Sequence, residues 1–362
     1  MNSKHQSRRK FLKNAGIATV GFVGLQTFFT TCKINSDTII DTNLIDKYGP
    51  LVKDPNGIIN LPDGFHYRII AKKGEKMSDG YFHPDKPDGM ATFEGSDGKV
   101  ILIRNHELIP KDFSPFGENE ELLPDFPESK IYDRGDGEIF APGGTTTLIF
   151  NEDVIQVEKS FLSLVGTIRN CAGGPTPWNS WLTCEETFSN PEKGLNQPHG
   201  YVFEVPATEE PALAEPIPIK AMGKFNHEAV AVDPRTGIVY LTEDAHDGLI
   251  YRFIPNENGN MLAGGKLQAL VITGMETKET RNWGDEGEIP FPVNERVAVS
   301  WIDMDNVDPE EDDLRLRGYS AGAARFARGE GMWFGRGEVW FACTSGGRTK
   351  TGQVFRYIPS PA

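Results

Sequence analysis

Apolar residues fall along this chain in short runs bounded by Gly, Pro, Asn and Asp. Examples are residues 99–103, 145–150, 181–184, 201–205, 238–242, 250–254, 339–343 and 354–358. Few stretches place apolar residues at helical spacing over ten or more positions, so the pattern predicts strands and turns rather than helices. Three pairs of runs read as one repeating unit. Trp181-Leu182-Thr183-Cys184-Glu185-Glu186 is followed by Gly200-Tyr201-Val202-Phe203-Glu204-Val205-Pro206. Val239-Tyr240-Leu241-Thr242-Glu243-Asp244 is followed by Ile250-Tyr251-Arg252-Phe253-Ile254-Pro255, and Val339-Trp340-Phe341-Ala342-Cys343-Thr344 by Val354-Phe355-Arg356-Tyr357-Ile358-Pro359. Each unit is a strand, an acidic or polar turn with an insertion, and a strand ending in Pro. Residues 297–303 read as a further strand between the last two units. Repeats of this size built from strands predict a β-propeller, with a β-sandwich as the alternative. In a propeller, carboxylates far apart in sequence converge on one axis.

Composition narrows the picture. The chain has 362 residues, 38% of them hydrophobic, with 39 Gly and 25 Pro. That makes a globular, turn-rich body. The formal net charge is −15, and near −20 without residues 1–31. Such a body is a poor binder of nucleic acid and a good candidate for cations. Residues 112–137 and 276–291 are Pro-rich and acidic and read as long loops.

The N-terminus reads as an address. Ser7-Arg8-Arg9-Lys10-Phe11-Leu12-Lys13 is a twin-arginine pattern, and residues 15–29 form an apolar run too short and too rich in Gly and Thr for a membrane span. Phe29-Thr30-Thr31-Cys32 resembles a loose lipoprotein cleavage box, so either Cys32 carries a lipid anchor or ordinary cleavage occurs nearby. The expected organisation is a signal peptide over 1–31, a polar tether over 32–55 and a catalytic body over 56–362. The twin-arginine export machinery is the implied partner, and the destination is the periplasm or the outer cell surface.

Candidate chemistry centres on Asn170-Cys171-Ala172-Gly173-Gly174-Pro175-Thr176-Pro177-Trp178, which reads as a thiol in a Gly/Pro loop, followed after one strand by Glu185 and Glu186. Thiolate is a soft ligand and carboxylate a hard one, so the combination suits a transition metal beside a hard cation. A Cys171–Cys184 disulfide is the alternative; Cys184 and Cys343 read as core. Glu243-Asp244 repeats the acidic pair at the same point of its unit. Asn105-His106-Glu107 and Asn226-His227-Glu228 read either as a carboxylate ligand with supporting His, or as strand ends whose His bonds backbone. Arg325-Phe326-Ala327-Arg328-Gly329-Glu330-Gly331 offers guanidinium groups beside a carboxylate, suited to phosphate. There is no phosphate loop, GxGxxG, HExxH or CxxC, which argues against nucleotide, zincin and redox readings.

Together, the twin-arginine leader, Cys-Ala-Gly-Gly-Pro-Thr-Pro-Trp with Thr-Cys-Glu-Glu, Phe-Asn-His-Glu-Ala, Tyr-Leu-Thr-Glu-Asp and Arg-Gly-Glu-Gly resemble the PhoX family of exported alkaline phosphatases. The resemblance implies a six-bladed propeller with an axial cluster of Fe3+ and Ca2+, and phosphomonoesters, with some diesters, as small-molecule substrates. It implies that Cys171 bridges the irons, that Glu186 and Glu228 ligate iron or calcium, and that Glu107, Glu185 and Asp244 ligate calcium. Arg328 and Glu330 match a segment that contacts substrate phosphate and metal. Family members usually continue past the last unit recognised here, so an incomplete ring is expected at the C-terminus. The rival readings are a calcium-dependent propeller lactonase or esterase, and a non-catalytic ligand-binding surface propeller.

Overall fold

The computed structural model describes residues 48–360, apart from 138, 192, 193, 276, 277 and 286. The leader, Cys32 and the tether up to residue 47 lie outside the described residues. The chain divides into two compact units, residues 1–69 and 70–362. In the first, strands β1 (Leu51–Val52) and β2 (Leu61–Pro62) pair antiparallel. The Asp54 carboxylate closes the loop between them, accepting from the N–H groups of Asn56, Ile58 and Ile59 and from the Tyr67 hydroxyl.

Among the described residues, the second unit is built of four antiparallel sheets, each a meander in which strand order equals chain order. The first holds β3 (Pro87–Glu94), β4 (Lys99–His106), β5 (Gly143–Asn151) and β6 (Gln156–Thr167). The second holds β7 (Asn170–Pro175), β8 (Ser180–Glu185) and β9 (Val202–Pro206). The third holds β10 (His227–Val232), β11 (Val239–Glu243), β12 (Ile250–Pro255), β13 (Gly265–Thr273) and β14 (Ala298–Asp303). The fourth holds β15 (Gly329–Gly335), β16 (Glu338–Cys343) and β17 (Gln353–Tyr357). One short α-helix, Leu314–Ser320, is present among the described residues. The architecture is therefore all-β, as the short apolar runs imply.

Alternation along each strand gives every sheet two faces, and successive sheets bury those faces against each other. Phe93, Ile101 and Ile103 of the first sheet meet Trp181, Phe203 and Val205 of the second. Leu182 and Val202 of the second meet Val230, Leu241 and Phe253 of the third. Tyr240 and Leu270 of the third meet Met332 and Phe341 of the fourth. Each such side chain contributes about 1.5–3 kcal/mol by leaving water. The segment 112–137, expected as a long loop, also contributes to the core. Phe116, Phe126 and Ile131 pack with Leu162 and Val165, covering part of the first sheet.

The first strands of the sheets also pack on one another: β3 on β7, β7 on β10, and β10 on β15. This close approach needs small residues. A Cβ at Gly174 would lie 2.1 Å from the Val230 carbonyl oxygen, and one at Gly89 would lie 2.7 Å from the Cys171 oxygen and the Ala172 Cα. β10, His-Glu-Ala-Val-Ala-Val, is buried along its whole length, which explains its alternation of Ala and Val between two neighbours.

Candidate metal centre

The four first strands share one irregularity. Each carries a break in register just after its start: Pro87/Met90, Asn170/Gly173, His227/Val230 and Gly329/Met332. A bulge of this kind re-aims a side chain away from the regular alternation. The second residue of each strand sits at the break: Asp88, Cys171, Glu228 and Glu330. In three of the four sheets the residue that follows the second strand is acidic as well: Glu107 after β4, Glu186 after β8 and Asp244 after β11. In the fourth sheet that position is Thr344, whose hydroxyl donates to Glu330 at 3.0 Å.

Cys171, Glu186 and Glu228 come together, each offering a ligand atom within 4.8 Å of the others. Cys171 lies on β7, not in a loop. Its thiol is unbridged, as are those of Cys184 and Cys343, so the disulfide alternative fails. The thiol points at the carbonyl oxygens of His227 (3.4 Å), Glu228 (3.7 Å) and Cys184 (3.9 Å). Burial, then the nearby Glu228 charge, pushes the Cys171 thiol well up. Glu228 is pushed up to about 8, chiefly by burial and then by the charges of Glu330, Glu186 and Asp244, against an opposing contact with the thiol. Glu186 rises to about 7 through burial and then through its hydrogen bond with Asp244, against the pull of Arg169. Burial leads each of these shifts, and the acids gathered here add to them for want of compensating positive charge. A cation supplies that charge, and the thiol with carboxylates offers soft and hard donors together. The residues present fit the expected ions.

Two guanidinium groups stand at the edge. Arg328 donates to Asp244 from Nε (2.8 Å) and Nη2 (2.6 Å) and lies 2.9 Å from Glu330. Arg169 reaches Glu186 at 2.5 Å and Glu107 at 3.2 Å. Partial burial, then the charges of Glu107 and Glu330, raises the Asp88 carboxyl, although its side chain still reaches solvent. Thus Glu107, Glu186, Glu228, Asp244, Arg328 and Glu330 form one connected group with Cys171, Asp88 and Arg169.

Glu185 stands apart. It is the last residue of β8, fully buried. Its carboxylate accepts from Ile168 N (2.9 Å), Gly200 N (2.9 Å) and Tyr201 N (3.2 Å), and lies 2.6 Å from His199 Nδ1. His199 Nε2 is 3.2 Å from Asp133. Those partners occupy its oxygens. Glu243, the last residue of β11, is likewise turned to Leu249 N and Tyr251 OH, each at 3.0 Å. In each acidic pair the first member holds the loop and the second faces the cluster. The two Asn-His-Glu histidines behave as backbone-bonding strand ends. His106 bonds Asp85 O and Thr146 Oγ1, and His227 bonds Gly223 O while stacking on Phe225.

Sequence reasoning passed over Asp88 and Arg169. A signal was there: Lys86-Pro87-Asp88-Gly89, Arg169-Asn170-Cys171-Ala172, Asn226-His227-Glu228-Ala229 and Arg328-Gly329-Glu330-Gly331 each set a donor third and a small residue fourth.

The model of the family described as "Alkaline phosphatase PhoX" matches residues 46–158 and 143–362. A second likeness is to the DNA-directed RNA polymerase subunit beta of Anaplasma marginale (strain Florida), 33% identical over 109 residues. The match covers 30% of this chain, which spans only 7% of that protein's length; so partial a likeness gives no nucleic-acid role. The chain belongs to the PhoX family, and membership implies a phosphoric monoester hydrolase.

Proposed function

We propose that this chain is an exported alkaline phosphatase that hydrolyses small phosphomonoesters at a cluster of Fe3+ and Ca2+, on the axis of a β-propeller whose blades are the four sheets. The observation that carries this is the meeting of Cys171, Glu186 and Glu228 within 4.8 Å, in a chain of the PhoX family. The propeller reading is supported by successive meanders stacked face to face with their first strands packed together. Cys171, Glu186 and Glu228 hold the cations, with Glu107 and Asp244 as further oxygen donors; Glu185 is left to its structural partners. The signal peptide over 1–31, the tether over 32–55, the Cys32 lipid and a periplasmic or outer-surface destination belong to the same proposal.

Bound cations neutralise a phosphate and make its phosphorus more electrophilic. Around that centre this chain's own residues have distinct tasks. Arg328, a planar fork already turned to the cluster, holds equatorial phosphoryl oxygens as charge develops on them. Glu330, in contact with Arg328 and Thr344, fixes the direction of that fork. Glu228 and Cys171, both buried, keep the floor of the site free of bulk water, where charge–charge interactions are strong.

The test is elemental analysis of the purified protein, paired with p-nitrophenyl phosphate hydrolysis with and without added calcium. Iron together with calcium-stimulated turnover is expected. Calcium without iron, with hydrolysis of a lactone instead, would move the reading to the lactonase class. Bound cations with no hydrolysis of either would leave a ligand-binding surface protein.

A further inference from the structure

The residues immediately before the four first strands are Lys86, Arg169, Asn226 and Arg328. The carbonyl oxygen of each accepts a hydrogen bond from the same partner, the backbone N–H of the residue after the second strand. Glu107 N bonds Lys86 O (3.0 Å), Glu186 N bonds Arg169 O (2.9 Å), Asp244 N bonds Asn226 O (3.0 Å) and Thr344 N bonds Arg328 O (3.0 Å). Three of the four take left-handed backbone, with φ of +43° at Lys86, +50° at Arg169 and +55° at Arg328, a conformation that costs a non-glycine residue and is kept where its surroundings enforce it. Arg169 and Arg328 are therefore one structural position repeated in two sheets.

Their side chains also match. Each guanidinium touches two acids of the cluster, Glu186 and Glu107 for Arg169, Asp244 and Glu330 for Arg328. Each side chain is 39% exposed. Arg169 contacts Glu186, Arg328 contacts Asp244, and those two acids hydrogen-bond each other, so one guanidinium stands at each end of a single acidic pair. The third cation of the series does not converge: Lys86 Nζ turns to Asp112 at 2.8 Å. Arg169 further has a donor to spare, since its Nε is buried without a partner.

We propose that Arg169 is a second phosphate-binding guanidinium, acting with Arg328 from the other end of the Glu186–Asp244 pair; this rests on the phosphatase reading. The carboxylates that now engage Arg169 are the ones suited to cations. An oxygen of Glu186 that turns to a cation leaves the Arg169 fork without its acceptor. A phosphate oxygen is the acceptor of matching shape and charge. The two forks then grip an anion from two sides, which neither could do alone.

The experiment uses the full chain with cations bound, and the variants Arg169→Ala and Arg169→Lys. Orthophosphate affinity is read by titration calorimetry, calcium affinity separately, and kcat and KM with p-nitrophenyl phosphate. For Arg169→Ala, phosphate Kd and KM are expected to rise about tenfold or more, as for a lost charged hydrogen bond, with kcat less affected and calcium binding not weakened. Arg169→Lys keeps the charge and loses the fork, so a several-fold rise is expected even if the Ala variant melts early. Phosphate Kd and KM within about twofold of wild type, in a variant with wild-type Tm, would overturn the assignment. A wild-type protein that neither binds orthophosphate nor hydrolyses the ester would instead overturn the phosphatase reading, and Arg169 with it.

Discussion

Replacing Gly174 by Ala tests whether the contact between first strands builds the site. The added Cβ would lie 2.1 Å from the Val230 oxygen and 2.9 Å from the Val230 carbonyl carbon and Cγ2. Ordinary contact begins near 3.4 Å. The obstacle is backbone in the middle of a buried strand, so no side chain can swing clear. β7 and β10 must separate by about 1 Å, and a strained or shifted core of this kind costs about 3 kcal/mol. In thermal unfolding that is a fall in Tm on the order of 6 °C for a protein of this size. The same separation pulls Cys171 on β7 from Glu228 on β10, so cation affinity should fall with Tm. Gly331→Ala is the control, since nothing lies within 4 Å of its Cβ. A Gly174→Ala protein with unchanged Tm and unchanged cation content would refute the argument that close strand packing sets the donor spacing.

The other predictions concern the cluster and its support. Cys171→Ser should lose iron and phosphatase activity together, by elemental analysis and ester hydrolysis; full turnover with iron retained would remove Cys171 from the metal set. Arg328→Ala should keep its cations and lower kcat/KM at least tenfold, in line with loss of a charged hydrogen bond to the transition state; unchanged kcat/KM would place it outside the site. His199 carries a pH signature. Burial pushes its pKa down, but Glu185 and Asp133 outweigh this and raise it to about 9 from an ordinary 6.5. A raised His stabilises the fold fully below pH 6.5 and loses that contribution as pH climbs through 9, a loss on the order of 3 kcal/mol. Tm measured from pH 6 to 10 should therefore fall toward the alkaline end, and His199→Gln should be less stable at pH 6 with a flatter profile; parallel profiles would contradict the buried ion triad.

Much of this molecule is legible in one dimension. The strands β4, β5, β8, β9, β11, β12, β16 and β17 follow from apolar runs a few residues long with turn-formers at their ends, because a strand's alternation and a turn's backbone demands are local properties. The thiol beside paired acids, and the second acidic pair one unit later, follow from the repeat. The sequence also carries the excess of negative charge that makes a cation centre reasonable. What it did not settle is which member of each pair does the chemistry. Glu185 and Glu186 are equivalent as letters. The end of β8 sends the first to His199 and to backbone N–H groups, and the second to the cluster. Asp88 and Arg169 had no motif of their own, since each gains its meaning from a register break repeated in other sheets. The side chains that meet at the cluster are separated by up to 242 positions, from Asp88 to Glu330. Only the packing of first strands built with small residues brings them within reach, because donor spacing is set by backbone-to-backbone contact between sheets, which no local pattern encodes.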